Sequence, residues 1–160
     1  MFGYGEIRWL ELDRVYFGSY ELHAQHFPLG TFYRLKLITT HGKKVSLGER
    51  VRHAEELAER IGRFSFKPLM QKALETFDSG GVVDFGAILV SRSEGVIIVK
   101  LLSDTKIRWE EIEGYDILSS HVSFHRFHKR FARSIASDRV ANLLVLRALL
   151  DGVMHQVWQR

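Results

Sequence analysis

Apolar and polar residues alternate through much of the first third of the chain. In TFYRLKLITT (31–40), Tyr33, Leu35 and Leu37 alternate with Phe32, Arg34, Lys36 and Ile38. A period of two, with frequent β-branched and aromatic residues, predicts a strand that buries the Tyr33, Leu35 and Leu37 face. VYFGSYELHA (15–24) and KKVSLGE (43–49) also read as strands. HFPLG (26–30), with Pro28 and Gly30, is expected to be a loop, and His41-Gly42-Lys43 a tight hairpin. The period then changes. HAEELAERIG, from His53, puts Ala54, Leu57, Ala58 and Ile61 on one narrow face. Glu55, Glu56, Glu59, Arg60 and Arg63 clothe the other, so a helix solvated on its outer side is expected. FKPLMQKALETF (66–77) predicts a second helix. Pro68 suits its first turn, Met70, Leu74 and Phe77 form its stripe, and Ser79-Gly80-Gly81 stops it.

Strand patterns return with VVDFGAILVS (82–91) and GVIIVKLL (95–102), joined by Arg92-Ser93-Glu94. YDILSS (115–120), HVSFHRF (121–127) and RFARSIA (130–136) follow, and a last helix is expected from about Asp138. That helix carries Val140, Leu143, Leu144, Val145, Leu146, Ala148, Leu149 and Leu150. The apolar surface is wider than one stripe of about 100°. One face is expected to plug a sheet and the rest to meet the other copy, the central helix or another subunit.

IRWLELDRVYF (7–17) and IRWEEIEGYDI (107–117) share Ile7/Ile107, Arg8/Arg108, Trp9/Trp109 and Glu11/Glu111. Each phrase precedes further strands and then a helix, so the chain reads as two diverged copies of one unit, each with a tryptophan strand. The second copy has two strands ahead of its tryptophan, and the first has eight residues. The expected organisation is an incomplete unit over 1–64, a connecting helix over 65–80 and a complete unit over 81–155.

Three segments carry a family resemblance: FDSGGVVDFGAILVS (77–91), IRWEEIEG (107–114) and VANLLVLRALL (140–150). With LGERVRHAEELAERI (47–61), they resemble a family of uncharacterised bacterial proteins with a pleckstrin-homology-like (PH-like) fold. The likeness runs from about residue 6 to about residue 150. It implies an α+β chain in which a partly open antiparallel β-barrel is closed by a C-terminal helix, in tandem with an incomplete first PH-like unit. Family members usually have a proline where this chain has Ala141, before Asn142. The incomplete first copy departs further and implies a bare sheet edge near Trp9, which either another chain repairs in a dimer or one mixed sheet formed by both copies closes, with the central helix covering the gap. Its motifs are structural, so the resemblance implies a binding module by analogy of fold alone.

Composition narrows the chemistry. The chain has 160 residues, 46% of them apolar, which suffices for one ordinary domain or two small ones. With no cysteine, disulfides, thiolate nucleophiles and cysteine-ligated metals are excluded. No apolar run reaches the roughly 20 residues of a membrane span, and MFGYGEIRW lacks the regions of a signal peptide, so a cytoplasmic setting is expected. A net charge of +4 is compatible with anionic partners without requiring one.

The densest cluster is HVSFHRFHKRFAR (121–133). Arg126, Lys129, Arg130 and Arg133, interleaved with phenylalanines, are the candidate anion-binding residues, for lipid phosphates or a nucleic-acid backbone. The competing reading, which the alternation favours, turns the phenylalanines inward and leaves the cations on a wet face. His121 and His125 would share a strand face roughly 13 Å apart, too far for one ion, and neither they nor His23 and His26 have an acidic third ligand. No metal and no cofactor is expected. Glu11/Asp13 and Glu110/Glu111/Glu113 recur at the same place in both copies, which favours turn capping or pairing with Arg8 and Arg108 over a glycosidase pair. P-loop, GxGxxG and HExxH motifs are absent, and no residue is assigned to catalysis. The reading that ranks first is a cytoplasmic module for protein contact and self-association, a homodimer with or without strand exchange. It would use Leu143, Leu144, Leu146 and Leu150 and the edge near Trp9. A membrane-peripheral module using the basic hairpin is the alternative. Nucleic-acid binding ranks third and an enzyme last.

Overall fold

The computed structural model describes residues 7–24, 27–47 and 53–158. The chain is α+β, with three antiparallel sheets and two helices. A 3-10 turn, Trp9–Glu11, leads into β1 (Leu12–Ala24), β2 (Phe27–Thr39) and β3 (Lys44–Leu47), which form one meander. Helix α1 (Ala54–Asp78) follows. A four-stranded sheet comes next: β4 (Val82–Asp84), β5 (Ile88–Ser91), β6 (Gly95–Ile98) and β7 (Thr105–Ile107). A second 3-10 turn, Trp109–Glu111, opens the meander β8 (Ile112–Ile117), β9 (His121–Arg126) and β10 (Arg133–Ala136). Helix α2 (Leu143–Trp158) ends the described chain. No closed barrel forms among the described residues.

Leu35 and Leu37 are buried but Tyr33, farther along the same face, is only partly covered and stacks on Phe17; the 41–43 turn is closed by Thr39 N–H donating to the Lys43 carbonyl at 2.9 Å. Other expectations need correction. Phe27–Gly30 lies in β2 and not in a loop; Pro28 pairs with His23 beside a register shift. Strand β3 reaches only Leu35 to Ile38 of β2, so a proline at 28 removes no rung on that side. VVDFGAILVS is not one strand but a hairpin folded at Gly86, whose φ is +81°. Asp84 Oδ1 accepts the Gly86 N–H at 2.6 Å, and a Cβ at 86 would lie 2.7 Å from the Arg139 carbonyl oxygen.

The two helices expected on either side of Arg63 are one helix of 25 residues with Pro68 inside it. Its buried stripe runs without a break through Ala54, Ala58, Ile61, Ser65, Leu69, Ala73 and Phe77. Ala58 and Ile61 pack with Leu12, Val15, Leu35 and Leu37. Leu69, Ala73 and Phe77 join the larger core around Phe85, Ile98 and Phe124. Burial on both sheets holds the helix together across the proline, at about 25 cal/mol per Å² of apolar surface. The stripe uses Leu69 and Ala73 in place of Met70 and Leu74; Leu74 is 40% exposed.

The tryptophans begin turns, not strands, and the two turns match. Glu11 N–H donates to the Arg8 carbonyl at 2.9 Å, and Glu111 N–H to the Arg108 carbonyl at 3.0 Å. The Glu11 carbonyl accepts from Thr40 N–H and the Glu111 carbonyl from Phe127 N–H, at 2.8 and 3.1 Å. Register shifts fall between Leu12 and Arg14 and between Ile112 and Gly114. Turn, bulge, three-stranded meander and helix thus follow both phrases.

The expected bare edge is closed from within the chain. On the outer side of β1, Tyr16 bridges Ala141, Asn142 pairs with Val15, and Ser19 N–H donates to the Ser119 carbonyl at 3.0 Å. A chain supplied from outside would have to displace these contacts. Helix α2 starts later than Asp138. Ser137–Arg139 forms a separate 3-10 turn, and Asn142, with φ of +53°, bends the backbone before Leu143.

Candidate functional site

Three accessible features hold the candidate residues. The first is the face around Trp9. Trp9 and Trp109 each pack on a phenylalanine of α1, but with different results. The Trp109 ring meets buried Phe77 edge-on at 6.4 Å, and its Nε1 donates to the Ser91 and Arg92 carbonyls, both at 3.1 Å. Those carbonyls belong to the β5–β6 turn. Among the described residues no such turn covers Trp9. Trp9 therefore stacks on Phe64 at 5.3 Å with both rings open, 43% and 61% exposed, beside Leu10 at 80%. The sequence carried a signal for Phe64: it sits on the charged side of α1, four residues after Arg60 and three before Lys67.

The last helix supplies less surface than expected. Leu146 and Leu150 are fully buried in the main core and offer nothing to a partner. The plugging face of α2 is therefore wider than one stripe, because α1 and the sheets both cover it. Leu144 stays half-exposed and Leu143 partly so. Both line the second feature, a cleft of about 460 Å³ at the seam of α1, β1, α2 and the end of β8. Val15, Phe17, Ala58 and Ile117 give it apolar walls, and Glu55, Glu59 and Arg147 are its charged members. Arg147 Nη2 donates to the Ile117 carbonyl at 2.7 Å. Sequence reasoning missed this cleft, because its lining comes from segments far apart in the chain.

The third feature is the basic hairpin. Arg126 is half-buried on β9, opposite Ile112, and its buried Nε has no hydrogen-bond partner among the described residues. Lys129 and Arg130 lie exposed in the β9–β10 connection, and Arg133 is exposed at the start of β10. Phe124 points inward, but Phe127 and Phe131 do not, so the reading in which the phenylalanines face the core holds for one of the three. His125 Nε2 lies 2.7 Å from Asp116 Oδ2, an exposed hydrogen-bonded contact. No group of three metal-ligating side chains occurs among the described residues.

Two of the acids beside the tryptophans, Glu111 and Asp13, are tied to the fold. Glu111 Oε2 accepts the Arg108 N–H at 3.4 Å and its Oε1 meets Arg108 Nη2 at 3.3 Å, while Asp13 pairs with Lys72 at 2.5 Å. Among known families, one model matches residues 1–159, that of a family of unknown function, DUF6585. The chain belongs to DUF6585. No curated protein and no solved structure matches it. No helix of this DUF6585 protein, among the described residues, is long and apolar enough to cross a membrane.

Proposed function

We propose that this protein is a non-catalytic binding and assembly module of the cytoplasm, PH-like in plan, that associates with a second copy of itself through the Trp9 face. The PH-like reading is supported by element order: four strands, three strands and a closing helix over β4 to α2, preceded by an incomplete unit of β1–β3 and α1.

One observation carries the self-association: the Trp109–Phe77 pair is covered by the β5–β6 turn, and its counterpart Trp9–Phe64 is open. Two aromatic rings and Leu10 left in water are a cost that a partner removes. The rim has both signs. Arg60 pairs with Glu56 and Arg63 with Glu59, at 2.7 and 2.6 Å, and Arg8 is exposed nearby in sequence. A mixed rim lets the face meet its own copy across a two-fold axis without charge repulsion. Strand exchange is not part of the proposal, because the edge of β1 is engaged inside the chain.

Light scattering across a range of concentrations tests the reading. A mass that rises toward the dimer, with Trp9→Ala and Phe64→Glu each returning it to the monomer, is the expected result. A strict monomer at high concentration, or a dimer indifferent to both substitutions, would sink it.

A further inference from the structure

The connection between β9 and β10 exposes what the strands on either side bury. Val122, Phe124 and Ile135 are in the core, yet Phe127 and Phe131 are 46% and 77% exposed. His128, Lys129, Arg130 and Arg133 are exposed in the same stretch. Lys129 N–H donates to the Arg126 carbonyl at 3.1 Å, and His128 adopts φ of +60°, so a defined turn presents these side chains. The Arg130 guanidinium lies 5.8 Å from the centre of the Phe131 ring. Of the acids near the start of β8, Glu110 and Glu111 share the one guanidinium of Arg108, so with Glu113 two negative charges remain against the four positive ones of Arg126, Lys129, Arg130 and Arg133. The loop therefore keeps a cationic excess around two accessible aromatic rings.

We infer that this loop docks on the surface of an anionic bilayer. Phe127 and Phe131 enter the interfacial region, and Lys129, Arg130 and Arg133 meet the lipid phosphates and carboxylates. Charge complementarity selects this occupant. Leu101 and Leu102 are still more exposed, at 100% and 96%, but they lie between Lys100 and Asp104 and carry no such excess. A single-stranded nucleic acid would call for a basic groove with successive stacking platforms, and here the charge is confined to one loop. The inference is independent of the Trp9 face.

Vesicle flotation with the full chain tests it, comparing phosphatidylcholine alone with phosphatidylcholine containing phosphatidylserine. Flotation with the anionic vesicles, fading as salt rises, is expected. Lys129→Glu together with Arg130→Glu should lower partitioning by about tenfold or more. Phe131→Ser should lower it several-fold at every salt concentration. All three positions are exposed, so thermal melting of these variants should match that of the parent. Equal partitioning on the two vesicle types, indifference to the charge reversal, or preferential capture of single-stranded RNA at the same salt overturns the inference.

Discussion

Asn142 and Val15 form a two-way pair across 127 residues of sequence. The Val15 N–H donates to Asn142 Oδ1 at 2.8 Å, and the Asn142 N–H donates to the Val15 carbonyl at 2.7 Å. Asn142 Nδ2 also donates to the Asp13 carbonyl at 3.0 Å. One residue, held at φ of +53°, thus continues the sheet edge at β1 and stands at the start of α2. Its side chain is occupied with β1 in place of capping α2. Asn142→Ala should remove two hydrogen bonds and strain a left-handed backbone, at a cost of about 2–4 kcal/mol. Asn142→Gly relieves the strain alone and should cost less. Urea unfolding of both variants checks the order; equal losses would mean that the backbone conformation is not part of the cost.

Gly18 tests the same junction by sterics. A Cβ there would meet Asp138 Cβ at 2.6 Å and Asp138 N at 2.8 Å, so neighbouring backbone would have to move. Gly18→Ala should destabilise the protein by about 1–3 kcal/mol. The reduced midpoint should appear in a single transition, because β1 and the 137–142 segment hold the β1–β3 meander to the rest of the chain. Two separated transitions would show that the β1–β3 meander and the remaining sheets unfold independently of this junction.

Legibility in the sequence followed the range of the interactions. The meanders were readable because alternation is local: Leu35 and Leu37 point inward as their period requires. The recurrence of IRW with an acid two residues later marked a shared turn and bulge. It could not distinguish a strand from a 3-10 turn, which is set by the Arg8 and Arg108 carbonyls accepting from residues three ahead. Pro68 misled because a proline suits a helix start, and only tertiary burial on two sheets keeps α1 continuous across it. Of the candidate site, the exposed cations were legible. The burial of Leu146 and Leu150, the closure of β1 by Asn142 and the difference between the tryptophans depend on segments over a hundred residues apart or on another element's cover.

Leu146 and Leu144 are two residues apart on α2 and should respond to very different degrees. Leu146 is fully buried, so Leu146→Ala should cost about 2–5 kcal/mol. Leu144 is 43% exposed and rests near Gly62 of α1, so Leu144→Ala should cost about 1 kcal/mol or less. Chemical denaturation measures both. If Leu144→Ala proved the more damaging, the assignment of core and seam would be reversed.

Tyr115 supplies a pH signature. Burial pushes its hydroxyl pKa up from the ordinary value near 10; its hydrogen bond to Asp151 and the charge of that carboxylate push it further, against a smaller opposing effect of Arg147. The folded protein thus favours the neutral phenol more than the unfolded chain does. The resulting stability is fully present below about pH 10 and is lost as pH rises through the higher folded value. Tyr115→Phe cannot donate to Asp151, so the stability gap between parent and variant should be widest near neutrality and should narrow above about pH 10. Tyr33, raised by desolvation and by Glu55, should also ionise late. A phenolate absorbance titration of the folded protein should therefore lag that of the protein in denaturant, and Tyr115→Phe should remove part of the lag. Superimposable titrations in the two states would show that Tyr115 gains nothing from its place against α2.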